Sequence, residues 1–265
     1  VDVFFIISGF GVGLLVGLTG VGGGALMTPL LIFGFGITPA VAVGTDLAFA
    51  AITKTNGVWV HARQATVDWR IVRRLASGSL PAALITLAVL GQIDTHTEQA
   101  QGFITTTLGL ALILSAGALL WRLRRAAGND TTGQQPELSQ AEQQRTEKRR
   151  TLATVATGVV LGVLVTLTSV GAGALGAAVL FWLYPRLSAA RVVGTDLAHA
   201  VPLAALGGLG HWQMGTVDLT LLGALLIGSL PGIYLGSRLS AALPEQWLRP
   251  MLATLLLVIG FRLVA

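Results

Sequence analysis

The sequence predicts an all-α integral membrane protein of two inverted-topology repeats with about five hydrophobic segments each: eight to ten helices, one short or half-spanning helix per repeat. Three observations predict it. Hydrophobic residues fill 53% of the 265 positions and charged residues only 11%, with a mean hydropathy of +0.76; a soluble domain carries about 25% charge. The apolar residues gather into ten runs. The last five runs repeat motifs of the first five in the same order.

The first five runs cover roughly 3–18, 25–35, 40–60, 71–90 and 102–121, the second five roughly 152–167, 174–183, 190–210, 219–239 and 249–264. A spanning helix needs about 20 apolar residues, so the second run of each set, at about ten, is read as a half-helix. Between the sets lies one long polar stretch, rich in Gln, Glu and Arg, which cannot bury a core and is read as a flexible or loosely helical linker. The predicted organisation is a first transmembrane repeat at 1–121, a linker at 122–150 and a second repeat at 151–265. The chain opens on Val rather than Met and is read as trimmed at its N-terminus, so no signal peptide can be judged.

The repeat is carried by five matched stretches. LTGVGGGAL at Leu18 to Leu26 answers LTSVGAGAL at Leu167 to Leu175, offset by 149. VGTDLA at Val43 answers VGTDLA at Val193, offset by 150. The same offset takes His61 to His211, TVD at Thr66 to TVD at Thr216, and GSLP at Gly78 to GSLP at Gly228.

Basic residues orient the halves. Four of the 17 Lys and Arg lie at Arg63 to Arg74, seven in the linker, two at Arg186 and Arg191, and two at Arg238 and Arg249; Lys54 and Arg262 remain. The loops around 34–39, 91–101, 169–173 and 210–216 have none. Placing the basic loops and the linker in the cytoplasm makes charged and uncharged loops alternate. The second half then starts on the opposite side from the first, the inverted plan of many secondary transporters, whose sites lie near the midplane at the repeat interface. The net charge of +5 is thus a topological signal rather than a nucleic-acid-binding face.

The chemistry concentrates in a few residues. A mid-bilayer carboxylate costs on the order of 3 kcal/mol and faces the bundle interior with a partner, yet each VGTDLA carries one, Asp46 and Asp196. Asp46 has Lys54 two helical turns on; Asp196 has His199 at i+3, with Ala204 where a second lysine would stand. Lys54, with Thr45, Asp46, Thr195, Asn56 and the glycine turns Gly22, Gly23, Gly24, Gly171 and Gly173, is the expected substrate-binding set, since glycine-exposed N–H groups at a helix start favour anions. An ion pair between Lys54 and Asp46 is the structural alternative. Asp46, Asp196 and His199 are the expected proton-coupling groups, with a packing role for His199 as its alternative. Pro81 and Pro231 in the GSLP pair are hinge candidates, against plain helix bending. His61 and His211, each near a Trp at a segment end, are read as interfacial. Glycines at four-residue spacing (Gly9, Gly13, Gly17; Gly158, Gly162) are read as packing positions.

These stretches, with GVGGGALMTPLL, HARQATVDWR and GLGHWQMGTVDLTLLG, resemble the TauE/SafE family of bacterial inner-membrane carriers, over nearly the whole chain except the linker. The resemblance implies transport of sulfite, sulfonates or related organosulfur anions, coupled to protons, in either direction. Many members carry GTS or GTN where this chain has GTD.

The expectation is therefore a proton-coupled secondary transporter of a small anion working by alternating access. Its expected partners are the anion, protons and membrane lipid, with a homodimer left open. A cation carrier with Asp46 and Asp196 as ligands, and a non-transporting membrane subunit, stay open as alternatives. No nucleic acid, cofactor, metal or enzymatic activity is expected: there is no cysteine, no P-loop, no HExxH and no GxSxG, and the glycines of GFGVGLLVG follow no strand.

Overall fold

A computed structural model describes residues 3–19, 24–93, 95, 97–127, 140–239 and 245–264, and every regular element among them is a helix. In chain order these are α1 (Val3–Thr19), α2 (Gly24–Phe35), α3 (Pro39–Arg63), α4 (Trp69–Leu90), α5 (Glu98–Ala127), α6 (Gln140–Thr168), α7 (Ala174–Leu183), α8 (Ala189–Gln213), α9 (Leu219–Leu239) and α10 (Glu245–Val264). The short pair is α2 and α7, at 12 and 10 residues, or about 18 and 15 Å of helix.

Local chemistry sets several boundaries. Asp68 caps α4, accepting from the backbone N–H of Arg70 and Ile71, and Asp218 caps α9 through Thr220 and Leu221. Pro39 opens α3, where its missing N–H costs nothing. Helix α6 starts at Gln140, inside the polar stretch, because Glu, Gln, Arg and Lys are good helix formers. Glu147 on that extension pairs with Arg74 of α4 at 2.8 Å.

The most extensive helix pairs are α1 with α9, α4 with α6, α3 with α8 and α5 with α10, so each joins the two sequence halves. Glycine makes this contact possible. A Cβ on Gly9, Gly13 or Gly17 would run into the backbone of Leu225, Ser229 or Ile233; one on Gly228, Gly232 or Gly236 would strike Ile6, Phe10 or Leu14. The same interdigitation joins Gly158 and Gly162 to Leu75 and Ser79. The spaced glycines are packing positions, as their spacing suggested.

Among the described residues five helices are long and apolar enough to cross a membrane: α4, α5 over Glu98–Trp121, α6 over Gln144–Thr168, α8 and α9. Large apolar side chains face outward along them, among them Ile85, Phe103, Leu114, Val160 and Ile227. A contiguous exposed apolar surface of this kind belongs against lipid. The chain is a multi-pass membrane protein.

Candidate functional site

Helices α3 and α8 run antiparallel through the middle. Gly44 faces His211, Ala48 faces Gly208, Gly57 faces Leu197 and His61 faces Gly194. In that register the pair crosses near Ile52 and Thr53 on α3 and Pro202 and Leu203 on α8. Its ends are tied reciprocally. The Thr45 hydroxyl accepts from the backbone N–H of Asp218 at 3.1 Å, and the Thr195 hydroxyl from that of Asp68 at 2.9 Å.

Lys54 lies within one turn of the crossing, with side chain buried. Its ammonium donates to the carbonyl of Ala172 at 3.1 Å, in the turn between α6 and α7. Asp46 and Asp196 are also buried, and both lie near enough to act on Lys54 electrostatically. The sequence suggested Asp46 as the partner. Eight residues of helix separate Asp46 from Lys54 by about 12 Å, whereas the antiparallel register brings Asp196 within about five residues of the level of Lys54, or about 7 Å along the axis.

The surroundings of the two acids differ. Thr28 of α2 donates to Asp46 Oδ2 at 2.6 Å, and the Ser169 hydroxyl stands beside that carboxylate. Ser169 has φ of 60°, a left-handed conformation that costs a non-glycine residue about 1–2 kcal/mol; its repeat counterpart is Gly20. Asp196 instead packs against Gly176 of α7, where a Cβ would collide with its Oδ1. Asp46 Oδ1, Ser169 Oγ and His199 Nδ1 are buried with no hydrogen-bond partner among the described residues. A buried polar group left so has paid its desolvation without compensation, and the same holds for the Ser115 and Thr166 hydroxyls.

The other sequence candidates divide. Gly171 and Gly173 hold φ of 125° and 128°, values favouring glycine, and so present the Ala172 carbonyl to Lys54. Gly24 opens α2 against Ser169, with no room for a Cβ; Gly22 and Gly23 lie outside the described residues. Thr45 and Thr195 are buried and engaged with the opposite turns. Asn56 is exposed and, two residues on from Lys54, points away from it. Pro81 and Pro231 lie within α4 and α9, which continue through them. His199 Nε2 is 2.8 Å from the Ser79 hydroxyl of α4. His211 is a correction: it is buried rather than interfacial, because its ring is held at both nitrogens, by Thr216 Oγ1 at 2.9 Å and the Thr166 carbonyl at 3.1 Å. His61, half-buried, makes the matching contact, to Thr66 at 2.8 Å.

Thr28, Ser79, Ser169 and Ala172 were missed by the sequence reading. Ser79 had a signal in the repeated GSLP, and Ser169 in being the one departure from LTG. Two apolar clefts, of about 600 Å³ between α1, α2 and α10 and about 440 Å³ between α4, α5 and α6, contain none of Asp46, Lys54, Asp196 and His199. Among the described residues no three His, Cys, Asp or Glu side chains gather as a metal site would need.

The profile of the sulfite exporter TauE/SafE family matches residues 5–263. The chain belongs to this family. It is 39% identical to the probable membrane transporter protein YjnA of Bacillus subtilis, covering 99% of this chain and all of that protein. It is 29% identical to the probable membrane transporter protein YdhB of the same organism, over 94% and 97% of the two chains. A probable membrane transporter protein of Methanocaldococcus jannaschii is 27% identical over 96% and 92%. No solved structure matches the chain. As a TauE/SafE member of this make-up, the chain is a membrane transporter.

Proposed function

We propose that this protein is a proton-coupled secondary carrier of a small anion, of the sulfite, sulfonate or related organosulfur class, across the bacterial inner membrane. One observation carries the reading: a single buried lysine near the crossing of α3 and α8, flanked along the axis by two buried carboxylates. A buried ammonium without a fixed one-to-one partner is costly and suits a charge that comes and goes. The family's description, sulfite exporter, supports the anion class.

In this reading residues 1–121 and 151–265 are inverted halves joined in the cytoplasm by 122–150, and the antiparallel α3 and α8 form their common axis. The anion meets Lys54 and the N-terminal turns of α2 and α7. Asp46 and Asp196 carry protons, with His199 as a relay to the second acid. Pro81 and Pro231 flex as the two faces open in turn. The protein acts as a carrier without cofactor or catalysis, as a monomer or homodimer.

Thermal stabilisation of the detergent-solubilised protein by hydrogen sulfite, alkanesulfonates, sulfate and divalent cations, in wild type and Lys54→Ala, tests this. Stabilisation by a sulfur anion, lost in Lys54→Ala, is expected. Stabilisation by a divalent cation alone, retained in Lys54→Ala and lost in Asp46→Asn, would make the two acids ligands of a transported cation and end the anion reading.

A further inference from the structure

Resting on the anion-carrier reading, we infer that the site selects monovalent over divalent anions and takes up one proton with each anion bound. The argument is a charge balance over every element packed around Lys54. Helix α3 contributes Asp46 and Lys54, and α8 contributes Asp196 and His199. Helices α2 and α7, the 169–173 turn, the membrane-embedded part of α6 from 152 to 168, α4 from 75 to 90, α5 from 99 to 121 and α9 from 219 to 233 contain no ionisable side chain. His211 and His61 stand against Gly44 and Gly194, two residues from Asp46 and Asp196; His211 has both ring nitrogens engaged, by Thr216 and the Thr166 carbonyl, and His61 has Nδ1 engaged by Thr66.

With both acids ionised, the cluster of one ammonium and two carboxylates holds a net charge of −1. A buried site in lipid disfavours any net charge, so the neutral arrangement has one proton, on either Asp46 or Asp196. A monovalent anion raises the negative charge by one, and a proton on the remaining carboxylate restores neutrality. No bond to the anion forms and none breaks; the proton comes from solvent and leaves with the anion. A divalent anion needs two protons, and the acid pair has room for only one. The second would have to charge His199, whose ring faces Ser79 and the field of Lys54. An uncompensated charge at this depth predicts discrimination on the order of a hundredfold.

The observations single out this pair for the task. Thr28 and Ser169 attend Asp46 while Gly176 backs Asp196, so the two carboxyls are not equivalent and need not bind protons together.

The test is isothermal titration calorimetry of the full-length protein with methanesulfonate, hydrogen sulfite, sulfate and thiosulfate in two buffers of different ionisation enthalpy. Methanesulfonate and sulfate are the decisive pair, since neither changes its own protonation near neutral pH. One proton taken up per methanesulfonate, affinity weakening up to tenfold per pH unit, and sulfate bound about a hundredfold more weakly are expected. Uptake should persist in Asp46→Asn and in Asp196→Asn, each of which leaves one carboxylate to take the proton, and vanish in the variant that carries both substitutions. Binding of a monovalent anion without proton uptake, or sulfate bound as tightly, would overturn this inference and leave the carrier reading standing. Binding of a divalent cation and of no anion would overturn both.

Discussion

Thr45 accepts a hydrogen bond from the backbone N–H of Asp218, 173 residues away, and its repeat counterpart Thr195 accepts one from Asp68. Each VGTDLA motif is thereby locked onto the TVD turn of the other half. Glycine at the second position allows the approach: a Cβ on Gly44 would strike the Thr216 carbonyl, and one on Gly194 would crowd that of Thr66. Within each motif, Gly and Thr therefore serve the fold, and Asp is left for chemistry.

Removing that acceptor leaves a backbone N–H without its partner at the junction of two helices. Thr45→Val and Thr195→Val should each destabilise the protein by about 1–3 kcal/mol, while Thr→Ser at either position retains most stability. Unfolding in detergent micelles by scanning fluorimetry, read as a lowered midpoint, checks this. Equal midpoints for Val and Ser variants would show that the hydroxyl does not hold the turn.

Glycine substitutions should divide by what a new methyl group meets. Gly228→Ala and Gly158→Ala drive a Cβ into the backbone of the facing helix, and should lose about 1–3 kcal/mol by overpacking. Gly11→Ala and Gly117→Ala meet nothing, and should gain roughly 0.5–1 kcal/mol from a better helix former. The same unfolding measurement separates the two groups; a loss at Gly11 or Gly117 would contradict the packing described.

Ser169 combines a strained backbone with a hydroxyl beside Asp46. Ser169→Gly should leave the unfolding midpoint unchanged or raise it by about 1 kcal/mol equivalent, while weakening stabilisation by anions. Ser169→Ala should show no such gain in midpoint, since it retains the strain, and should weaken stabilisation by anions, since it lacks the hydroxyl. If Ser169→Gly binds anions as wild type does, the hydroxyl has no part in the site.

Lys54 should be coupled more tightly to Asp196 than to Asp46. Lys54→Met leaves two buried carboxylates without their cation and should be strongly destabilising. Adding Asp196→Asn should recover more of the loss than adding Asp46→Asn, with coupling of about 1 kcal/mol or more in a double-mutant cycle. Equal recovery would contradict the register of α3 and α8.

Much of this molecule is written in its composition and its repeat. Ten helices and their order follow from apolar run length, because lipid forces each spanning segment to satisfy its own backbone. The doubled Asp46 and Asp196, the lone Lys54 and the glycine turns stand out because charge and consecutive glycine are rare in apolar runs. Sequence periodicity is local, however, and says nothing of which helix faces which. That α1 lies on α9 and α4 on α6, that Lys54 reaches Ala172, and that Thr28 and Ser169 attend Asp46 are matters of tertiary structure alone. So is the nearness of Lys54 to Asp196 of the other half as well as to Asp46 of its own helix. Separation along a helix is fixed at about 1.5 Å per residue, while proximity across an antiparallel pair depends on a register that only close glycine packing between the two halves decides.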